Sequence, residues 1–442
     1  MAGIFKAYDV RGVYPGEINE ENAKKIGEAF ARLKQGNIVI ASDVRKSSPA
    51  LKKSIMKGLY LSGARITDIG SVTTPMLIFA TANYGFDAGL IITASHNPPQ
   101  YNGVKFFDQG GVPISYEAGI KDIEHLVDNG SMMQMSLGKV EAEDIYNDYK
   151  NFLLSKLKIK NVPMKIVVDC FNGADSKVAP DILRALGATV IELRCGFNGD
   201  FPESGPDPSH AGNLDMLKHR VVQEKADIGF AYDGDGDRLA VVDSDGNSIE
   251  IRAIFSLLAE NLPQGSKVVY DVLTSNMVSD SVKRNNNIPL VCRTGHTYIT
   301  RKLLDEGAAL GGELSGHFFF KETFGGDDAL YASLKVLECI ITKGISLQDY
   351  VSKLPKYYSG DLRVLIKAEE KWNFVDKLKE EFSKSYKIDT LDGVKVIFDK
   401  GWAVFRASNT EPKISIAYES SDAQEFEKIK KIVEYVVAKI PK

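Results

Sequence analysis

The sequence predicts an α/β protein with three similar α/β domains, each with a mixed sheet, and a smaller C-terminal α+β domain, arranged around a central cleft. Three observations support this fold class. The chain has 442 residues, more than one hydrophobic core usually organises. Strand-like apolar runs alternate with helical patterns as far as about residue 320, and this arrangement occurs three times over stretches of roughly 100 residues. The last part of the chain breaks the pattern.

The first two modules are predicted at residues 1–148 and 149–250. In the first module we expect strands at 37–44, 64–69, 88–93 and 103–107 and helices at 22–33 and 49–62. In the second we expect strands at 165–170, 189–194, 227–232 and 238–243 and helices at 176–186 and 213–225. A charged helix at 144–157 is expected to bridge the two.

The third module is predicted at residues 251–361, with strands at 267–272, 289–293, 308–312 and 317–320. The fourth, at 362–442, has a different order of elements. We expect strands at 363–367, 394–398, 402–406 and 413–418 and helices at 371–385 and 423–440. This order predicts helices on one face of an antiparallel sheet.

Composition excludes several classes of protein. A formal net charge of −4 and a pI near 6.0 give no global attraction to nucleic acid. The four cysteines have no C-x-x-C spacing, which argues against a disulfide framework and against a zinc site. No apolar run approaches about 18 residues, and the first ten residues have no apolar signal region. We therefore expect a cytoplasmic protein without a membrane or nucleic-acid partner.

A polar loop rich in glycine or proline follows the third predicted strand of each α/β module. These loops are residues 93–99, 233–238 and 311–317. Ligands of open α/β sheets bind outside the carboxyl ends of the strands. The three loops are therefore expected to converge on one cleft.

The second loop carries Asp233, Asp235 and Asp237, separated by glycines. The glycines let the backbone curl and aim the three carboxylates at one point, where a divalent cation offsets their repulsion. A site made of few carboxylates favours Mg²⁺ over Zn²⁺. The alternative is an exposed Asp-Gly hairpin turn. A calcium loop of the EF-hand type lacks its spacing and its closing glutamate.

The first loop presents Ser95 between an apolar strand and a Pro-Pro pair, which constrains the backbone. No G-x-S-x-G motif surrounds it, so a serine hydrolase is poorly supported. Phosphoryl transfer needs positioning and neutralised charge, which a metal with nearby Arg or Lys supplies. The alternative role is a local hydrogen bond in a turn.

Two further loops offer groups that bind sugars and phosphates. Glu313 and Ser315 can bind vicinal sugar hydroxyls, or they can cap a helix or form a turn. The segment 406–412 contains Arg406, Ser408, Asn409 and Thr410, which form a phosphate cradle or, alternatively, an ordinary turn. Arg11, Lys105 and His296 are candidate phosphate ligands or proton-transfer groups, although single residues of these types more often serve packing or the surface.

Together these segments resemble the α-D-phosphohexomutase family, in its phosphomannomutase/phosphoglucomutase branch. The most specific segments are 93–98, 233–238, 312–317 and 406–412, in the order typical of the family. The resemblance implies interconversion of hexose 1-phosphate and hexose 6-phosphate, of mannose or glucose, through a phosphoserine and a hexose 1,6-bisphosphate. The bisphosphate is also the expected activator. The resemblance implies a phosphosugar substrate, and leaves open whether the protein is a monomer or a homodimer.

The resemblance also implies roles for individual residues. Ser95 carries the phosphoryl group, which binds Mg²⁺ together with Asp233, Asp235 and Asp237. Glu313 and Ser315 bind sugar hydroxyls. The non-reacting phosphate is bound by Arg406, Ser408, Asn409 and Thr410. The residues that neutralise charge or transfer protons near the transferred group are Arg11, Lys105, Arg238, His296 and His317.

Local differences bear on the substrate. The phosphoglucosamine branch typically has Gln at the position of Leu314 and Gly at that of Asn409, so glucose or mannose phosphates are favoured. Leu273 occupies a position where some relatives carry a phosphate-contacting Lys, and Ser415 one where many carry Arg. A phosphoglucosamine mutase is the alternative enzyme. A non-catalytic sugar-phosphate or metal-binding protein is the alternative from another class.

Overall fold

The computed structural model describes residues 3–129, 137–202, 205–408 and 412–439. Within these ranges the strands form four sheets, three with mixed strand directions and one antiparallel, in chain order. The predicted fold class is confirmed. No helix within the same ranges combines the length and the apolar character that spanning a membrane requires.

The first sheet has the strand order β1-β5-β4-β2-β3-β7, with β6 paired to β5. Its strands are β1 Val10–Val13, β2 Asn37–Ser42, β3 Arg65–Ser71, β4 Ala88–Ile92, β5 Tyr101–Asp108, β6 Val112–Pro113 and β7 Lys139–Ala142. Its helices are α1 Glu20–Leu33, α2 Ser48–Leu61, α3 Thr74–Asn83 and α4 Lys121–Asn129. Helix α1 begins after Asn19, whose side chain accepts the N–H groups of Glu21 and Asn22.

The second sheet has the strand order β12-β11-β10-β8-β9. Its strands are β8 Lys165–Asp169, β9 Thr189–Leu193, β10 Ile228–Tyr232, β11 Leu239–Asp243 and β12 Ser248–Ile249. Its helices are α5 Tyr146–Lys156, α6 Val178–Ala185 and α7 Asp215–Glu224. Every residue of β10 is buried, because helices cover both faces of a central strand of this kind.

The third sheet has the strand order β14-β13-β15-β16. Its strands are β13 Lys267–Asp271, β14 Ile288–Cys292, β15 Leu310–Gly312 and β16 Phe318–Phe320. Its helices are α8 Ile251–Glu260, α9 Asn276–Arg284, α10 His296–Glu306, α11 Ala329–Lys343 and α12 Leu347–Ser352.

One strand arrangement recurs in the three α/β modules. A first strand pairs in parallel with a second and a third, and a fourth returns antiparallel beside the third. These sets are β2, β3, β4, β5, then β8, β9, β10, β11, then β13, β14, β15, β16. Each predicted polar loop connects the third strand to the fourth. The loops therefore leave the same position in three similar sheets.

The C-terminal sheet is antiparallel, with the order β17-β21-β20-β19-β18. Its strands are β17 Tyr358–Leu365, β18 Lys387–Asp389, β19 Val394–Ile397, β20 Gly401–Ala407 and β21 Lys413–Ser420. Helices α13 Lys371–Phe382 and α14 Ala423–Ala438 pack on one face, as predicted. The strand predicted at 363–367 begins earlier in the structure, because β17 starts at Tyr358 and pairs with β21 over its whole length.

The predicted module limits 1–148, 149–250, 251–361 and 362–442 stay a prediction. Helix α5 runs through residue 148, and β17 runs through residue 361. The hydrophobic core is continuous from α3 and α5 through the second and third sheets, whereas the core of the C-terminal domain is separate. The C-terminal domain is thus a distinct packing unit.

Candidate active site

The loop after β4 holds Ser95 in the left-handed region of backbone conformation. Its φ is +50°, which residues other than glycine seldom adopt unless their surroundings hold them there. Thr93 Oγ1 accepts the Ser95 N–H at 2.9 Å. The buried Ser95 hydroxyl donates to Asp233 Oδ2 at 2.6 Å and lies 3.2 Å from Nδ1 of His96. The predicted phosphoryl carrier therefore touches the first predicted metal ligand.

Arg45, which follows β2, holds this loop from the protein interior. Its guanidinium is buried and pairs with Asp43, with Nε 3.0 Å from Oδ2. It donates to three main-chain oxygens of the loop, those of Ser95 at 2.7 Å, Asn97 at 2.6 Å and Pro98 at 2.8 Å, and to that of Tyr101, the first residue of β5, at 3.0 Å. We did not predict Arg45 from the sequence. The available signal was a pair of opposite charges at the carboxyl end of a buried strand.

The acidic loop after β10 curls around one carboxylate. Oδ1 of Asp233 accepts the N–H groups of Gly236, Asp237 and Arg238 at 3.1, 3.0 and 3.2 Å. Gly236 has φ +80°, and a Cβ there would lie 2.3 Å from Oδ2 of Asp175, so glycine is required. Asp233, Asp235 and Asp237 are buried, and one oxygen from each lies within 4.8 Å of the others. The loop does connect the antiparallel strands β10 and β11 as a hairpin, but its three carboxylates are buried, which an exposed Asp-Gly turn would not require.

Lys105 on β5 faces the acidic loop. Its Nζ donates to Oδ2 of Asp235 at 2.7 Å and to Oδ2 of Asp237 at 2.6 Å. Burial disfavours the ammonium, but these two carboxylates outweigh burial and raise the pKa of Lys105. Burial, with Asp237 and Asp235 adding to it, raises the pKa of Asp233 well above its usual value. Thr74 at the start of α3, which we did not predict, also donates to Oδ2 of Asp235, at 2.7 Å.

The donor set of the acidic loop fits a divalent cation. Oδ1 of Asp235 and Oδ1 of Asp237 are buried and have no hydrogen-bond partner among the described residues. A buried carboxylate oxygen without a partner is costly, and a bound cation removes that cost. All of the candidate ligands are oxygens, as a hard cation such as Mg²⁺ prefers.

A cavity of about 670 Å³ opens in front of Ser95. Its cationic and imidazole groups come from three modules, namely Lys6, Arg11, His96, Lys105, Arg238, His296 and His317. Arg11 donates to Oδ1 of Asn97 at 2.7 Å, which places its charge beside the serine loop. The cavity therefore combines a hydroxyl nucleophile with a surface suited to phosphate oxygens.

The two histidines from the third module differ in their surroundings. Burial lowers the pKa of His296, at the start of α10, to about 4. Burial alone would also lower the pKa of His317. The negative charge of Asp237 and the hydrogen bond to Asp327 outweigh burial, so the pKa of His317 is raised. Nδ1 of His317 is 2.9 Å from Oδ2 of Asp327, and Arg238 Nε donates to Nε2 at 3.0 Å. Asp327 is a further residue that the sequence did not indicate to us.

The sugar-binding candidates lie in the turn between β15 and β16. Glu313 is largely buried, and its Oε1 accepts the Gly295 N–H at 2.9 Å. Ser315 donates to Oε2 of Glu313 at 3.3 Å. Burial raises the pKa of Glu313. These two residues do not line the cavity in front of Ser95, but Gly295 connects Glu313 to His296, which does.

The phosphate-cradle candidates lie at the end of β20. Arg406 Nε donates to Oδ2 of Asp392 at 2.7 Å, and Lys371 Nζ donates to the main-chain oxygen of Ser408 at 2.6 Å. Asn409 and Thr410 lie outside the described residues, so their role in the cradle stays a prediction. Asp392 and Lys371 were not predicted from the sequence.

The two departures from the family pattern lie toward the C-terminal domain. Leu273 lines a separate cavity of about 300 Å³ between the third and fourth modules, together with Leu314 and Trp402. Ser415 on β21 lies opposite Arg406 on one side and opposite Arg363 on the other. An arginine therefore flanks Ser415 on each neighbouring strand.

Comparison with known proteins gives a consistent match along the chain. Models of the phosphoglucomutase/phosphomannomutase α/β/α domains I, II and III match residues 2–133, 144–246 and 245–358, and the model of the C-terminal domain matches 362–434. A phosphomannomutase/phosphoglucomutase of Pseudomonas aeruginosa is 34% identical, covering 98% of this chain and 94% of its own. A phosphoglucomutase of Neisseria meningitidis is 36% identical, covering 99% and 97%.

A solved structure is also similar over the whole chain. It is a phosphoglucomutase/phosphomannomutase family protein of Burkholderia thailandensis, with a TM-score of 0.91 and 32% sequence identity. The similarity covers 98% of this chain and 96% of that one.

Proposed function

The chain belongs to the phosphoglucomutase/phosphomannomutase family, and from that premise we propose how its residues interconvert hexose 1-phosphate and hexose 6-phosphate. It is a phosphohexomutase and hence an isomerase that moves a phosphoryl group within its substrate. We assign the transfer to Ser95 through a hexose 1,6-bisphosphate, with glucose and mannose phosphates as substrates.

The observation that carries this proposal is the contact between two loops that lie far apart in the sequence. Ser95 Oγ is 2.6 Å from Oδ2 of Asp233, and Lys105 joins Asp235 to Asp237 beside them. A hydroxyl, three carboxylates and several cations at one point supply what phosphoryl transfer needs, namely positioning and neutralised charge. A serine that served only a turn would need none of these groups.

In the first transfer, the phosphorylated Ser95 gives its phosphoryl group to the free hydroxyl of the bound hexose phosphate. The bond between phosphorus and Oγ breaks and a bond from phosphorus to the sugar oxygen forms. The hydroxyl proton of the sugar leaves to a base, and Ser95 Oγ takes up a proton, so that it is a hydroxyl again. His296 lines the same cavity as Ser95 and is neutral, because burial lowers its pKa to about 4, and a phosphate dianion bound in this cavity would raise its basicity. We therefore assign the proton to His296, while Arg11 and Arg238 balance the phosphate charge.

The second transfer reverses these bonds at the other end of the sugar. Ser95 Oγ attacks the second phosphate of the bisphosphate and releases its proton, and the sugar oxygen takes one up. Glu313 and Ser315 bind sugar hydroxyls, and Arg406 with Ser408 binds the phosphate that is not reacting. Because one cradle faces one serine, the bisphosphate has to turn around between the two transfers.

We assign the divalent cation to Asp233, Asp235 and Asp237, which would hold it next to Ser95. When bound, Mg²⁺ would offset the negative charge that develops on the transferred phosphoryl group. The two unpartnered buried oxygens of this loop, Oδ1 of Asp235 and Oδ1 of Asp237, support the assignment.

The test is a coupled assay that measures glucose 6-phosphate formed from glucose 1-phosphate, with Mg²⁺ and a trace of glucose 1,6-bisphosphate. We expect Ser95→Ala to lower turnover by at least about 10³-fold, because the nucleophile is gone. Ser155→Ala, on the exposed surface of α5, is the matched control. Intact mass should show one phosphoryl group on the wild type and none on Ser95→Ala. Full activity of Ser95→Ala would refute the assignment.

The preferred sugar is tested by kcat/KM for glucose, mannose and glucosamine 1-phosphates. We expect the first two to exceed the amino sugar by at least about tenfold, a difference of about 1.4 kcal/mol in transition-state binding. A preference for the amino sugar would instead identify a phosphoglucosamine mutase.

A further inference from the structure

The dipeptide Thr294-Gly295, immediately before α10, is a junction of three modules. From the first module, Tyr8 donates its hydroxyl to the main-chain oxygen of Thr294 at 2.9 Å. From the third, Glu313 Oε1 accepts the Gly295 N–H at 2.9 Å. From the C-terminal domain, Asp392 Oδ2 accepts the Thr294 N–H at 3.0 Å. The residue that follows the dipeptide is His296, which lines the reaction cavity.

The same Asp392 oxygen also holds Arg406. Nε of Arg406 donates to Oδ2 of Asp392 at 2.7 Å, and the two side chains are only 11% and 9% exposed. Gly393 has φ +79°, and a Cβ there would lie 2.4 Å from the main-chain oxygen of Phe405. The turn before β19 thus brings Asp392 close against β20, where Arg406 lies.

The hydrogen bond from Nε of Arg406 to Asp392 affects how Arg406 can bind a phosphate. A carboxylate on Nε restricts rotation of the guanidinium plane without using the edge formed by the two terminal amino groups. Those amino groups are the ones with which arginine makes paired hydrogen bonds to a phosphate. Asp392 therefore sets the direction in which Arg406 presents its charge.

We propose that Asp392 is a positioning residue that orients Arg406 and, through Thr294-Gly295, fixes the phosphate cradle relative to Glu313. The inference rests on the proposed function, in which Glu313 and Arg406 bind two parts of the same substrate. Three hydrogen bonds form the path: Glu313 with Gly295, the neighbouring Thr294 with Asp392, and Asp392 with Arg406. Because the cradle must accept the phosphate of either sugar end, its distance from the hydroxyl site has to be held by the protein.

The first experiment compares Asp392→Ala with the wild type in the glucose 1-phosphate assay. Loss of a charge-assisted hydrogen bond on Arg406 should raise KM by about 10- to 100-fold and change kcat by less than about threefold. Asp392→Asn keeps an oxygen acceptor and should raise KM by only about 3- to 10-fold. Asp399→Ala, exposed in the turn at the opposite end of β19, is the matched control and should match the wild type.

Folding is followed separately through tryptophan fluorescence. The chain has two tryptophans, Trp372 and Trp402, and both belong to the C-terminal domain, so their fluorescence reports the unfolding of this domain. We expect the unfolding midpoint of Asp392→Ala to stay within about 4 °C of the wild type. If Asp392→Ala does not fold, Asp392→Asn carries the same measurements.

A double-mutant cycle with Arg406→Ala separates positioning from general support of the fold. If Asp392 acts through Arg406, replacing Asp392 in the Arg406→Ala background should change KM by less than about twofold. Additive effects, or a KM unchanged in the single variants of an active enzyme, would overturn the inference while leaving the proposed function intact. A wild type without mutase turnover would instead overturn the proposed function.

Discussion

The two phosphate-handling regions of this protein are built differently. Ser95, the three aspartates of the acidic loop and Lys105 are buried, and a continuous hydrophobic core extends from α3 of the first module through the second and third sheets. Around Arg406 the C-terminal domain has its own core, and a small set of polar contacts ties it to the third module, among them Asp392 with Thr294 and Lys395 with Val272. The reacting end is fixed by packing, and the cradle is fixed by hydrogen bonds.

This difference matches the demands of the reaction. Phosphoryl transfer requires the serine, the charges and the attacking hydroxyl to be aligned within a few tenths of an ångström, and close packing provides that alignment. The cradle must release and rebind a substrate that turns around, and contacts that break at low cost allow it. Substitutions near Ser95 should therefore affect kcat, and substitutions near Arg406 should affect KM.

The largest effect in this comparison is expected for Asp235→Asn. The change removes one charge from the acidic loop and keeps the shape of the side chain, so Lys105 retains only Asp237 as an anionic partner. We expect activity to fall by about 10²- to 10³-fold, with the midpoint for activation by Mg²⁺ shifted to higher concentration. The measurement is the Mg²⁺ dependence of turnover together with the unfolding midpoint.

Asp245→Asn is the matched control for this prediction. Asp245 is exposed in the turn between β11 and β12, in the same sheet as the acidic loop. It should leave both turnover and the Mg²⁺ dependence unchanged. If Asp235→Asn lost stability in proportion to activity, the acidic loop would be a structural turn and not a metal site.

A smaller effect is expected for Arg45→Lys, which tests whether the serine loop depends on its buried support. Lysine keeps a charge beside Asp43 but cannot span the four main-chain oxygens that the guanidinium reaches. We expect kcat to fall by about 10-fold or more at an almost unchanged KM, and the free energy of unfolding to fall by about 1–3 kcal/mol. Intact-mass kinetics of Ser95 phosphorylation by glucose 1,6-bisphosphate should slow in parallel.

Arg65→Lys is the control, since Arg65 is exposed on β3 of the same sheet. It should behave like the wild type in both measurements. A rise in KM with an unchanged phosphorylation rate in Arg45→Lys would show that the serine loop does not need this support.

The sequence was sufficient to predict the repeated α/β modules, because buried central strands such as β4 and β10 appear as unbroken apolar runs. It was also sufficient to identify the loops, since glycine-spaced aspartates and a serine before Pro-Pro are local patterns. Edge strands such as β1 and β7 were missed because they pair through the backbone and need little apolar sequence. The start of β17 was missed for the same reason.

The supporting residues could not be predicted because their roles depend on contacts between distant segments. Arg45 acts on carbonyl groups about fifty positions away, and Asp392 joins Thr294 to Arg406 across a domain boundary. For Arg45 the only local signal was its pairing with Asp43 after a buried strand, and nothing in the sequence around Asp392 distinguishes it from a surface charge. The reacting groups are readable from motifs, whereas the groups that hold them in place are defined only by the fold.

The smallest effect is expected at Lys395 and appears as a dependence of stability on pH. Lys395 on β19 donates to the main-chain oxygen of Val272 at 2.8 Å and lies 4.2 Å from the Trp402 ring centre. Burial lowers its pKa to about 8, although Asp271 opposes the shift. Between pH 8 and about 10.5 the unfolded chain therefore binds more protons than the folded one, so this residue makes stability rise with pH in that window.

The measurement is the unfolding free energy of the C-terminal domain, followed by tryptophan fluorescence from pH 7 to 10.5. Relative to Lys395→Met, the wild type should gain about 1–2 kcal/mol across the window, once solvent screening of this half-buried group is allowed for. Lys400→Met, an exposed lysine in the next turn, should keep the pH profile of the wild type. Parallel profiles for the wild type and Lys395→Met would mean that Lys395 titrates like a solvated lysine. The favourable contacts of the ammonium, among them the hydrogen bond to Val272, would then balance the cost of burial, and this residue would add no dependence on pH to the stability of the domain.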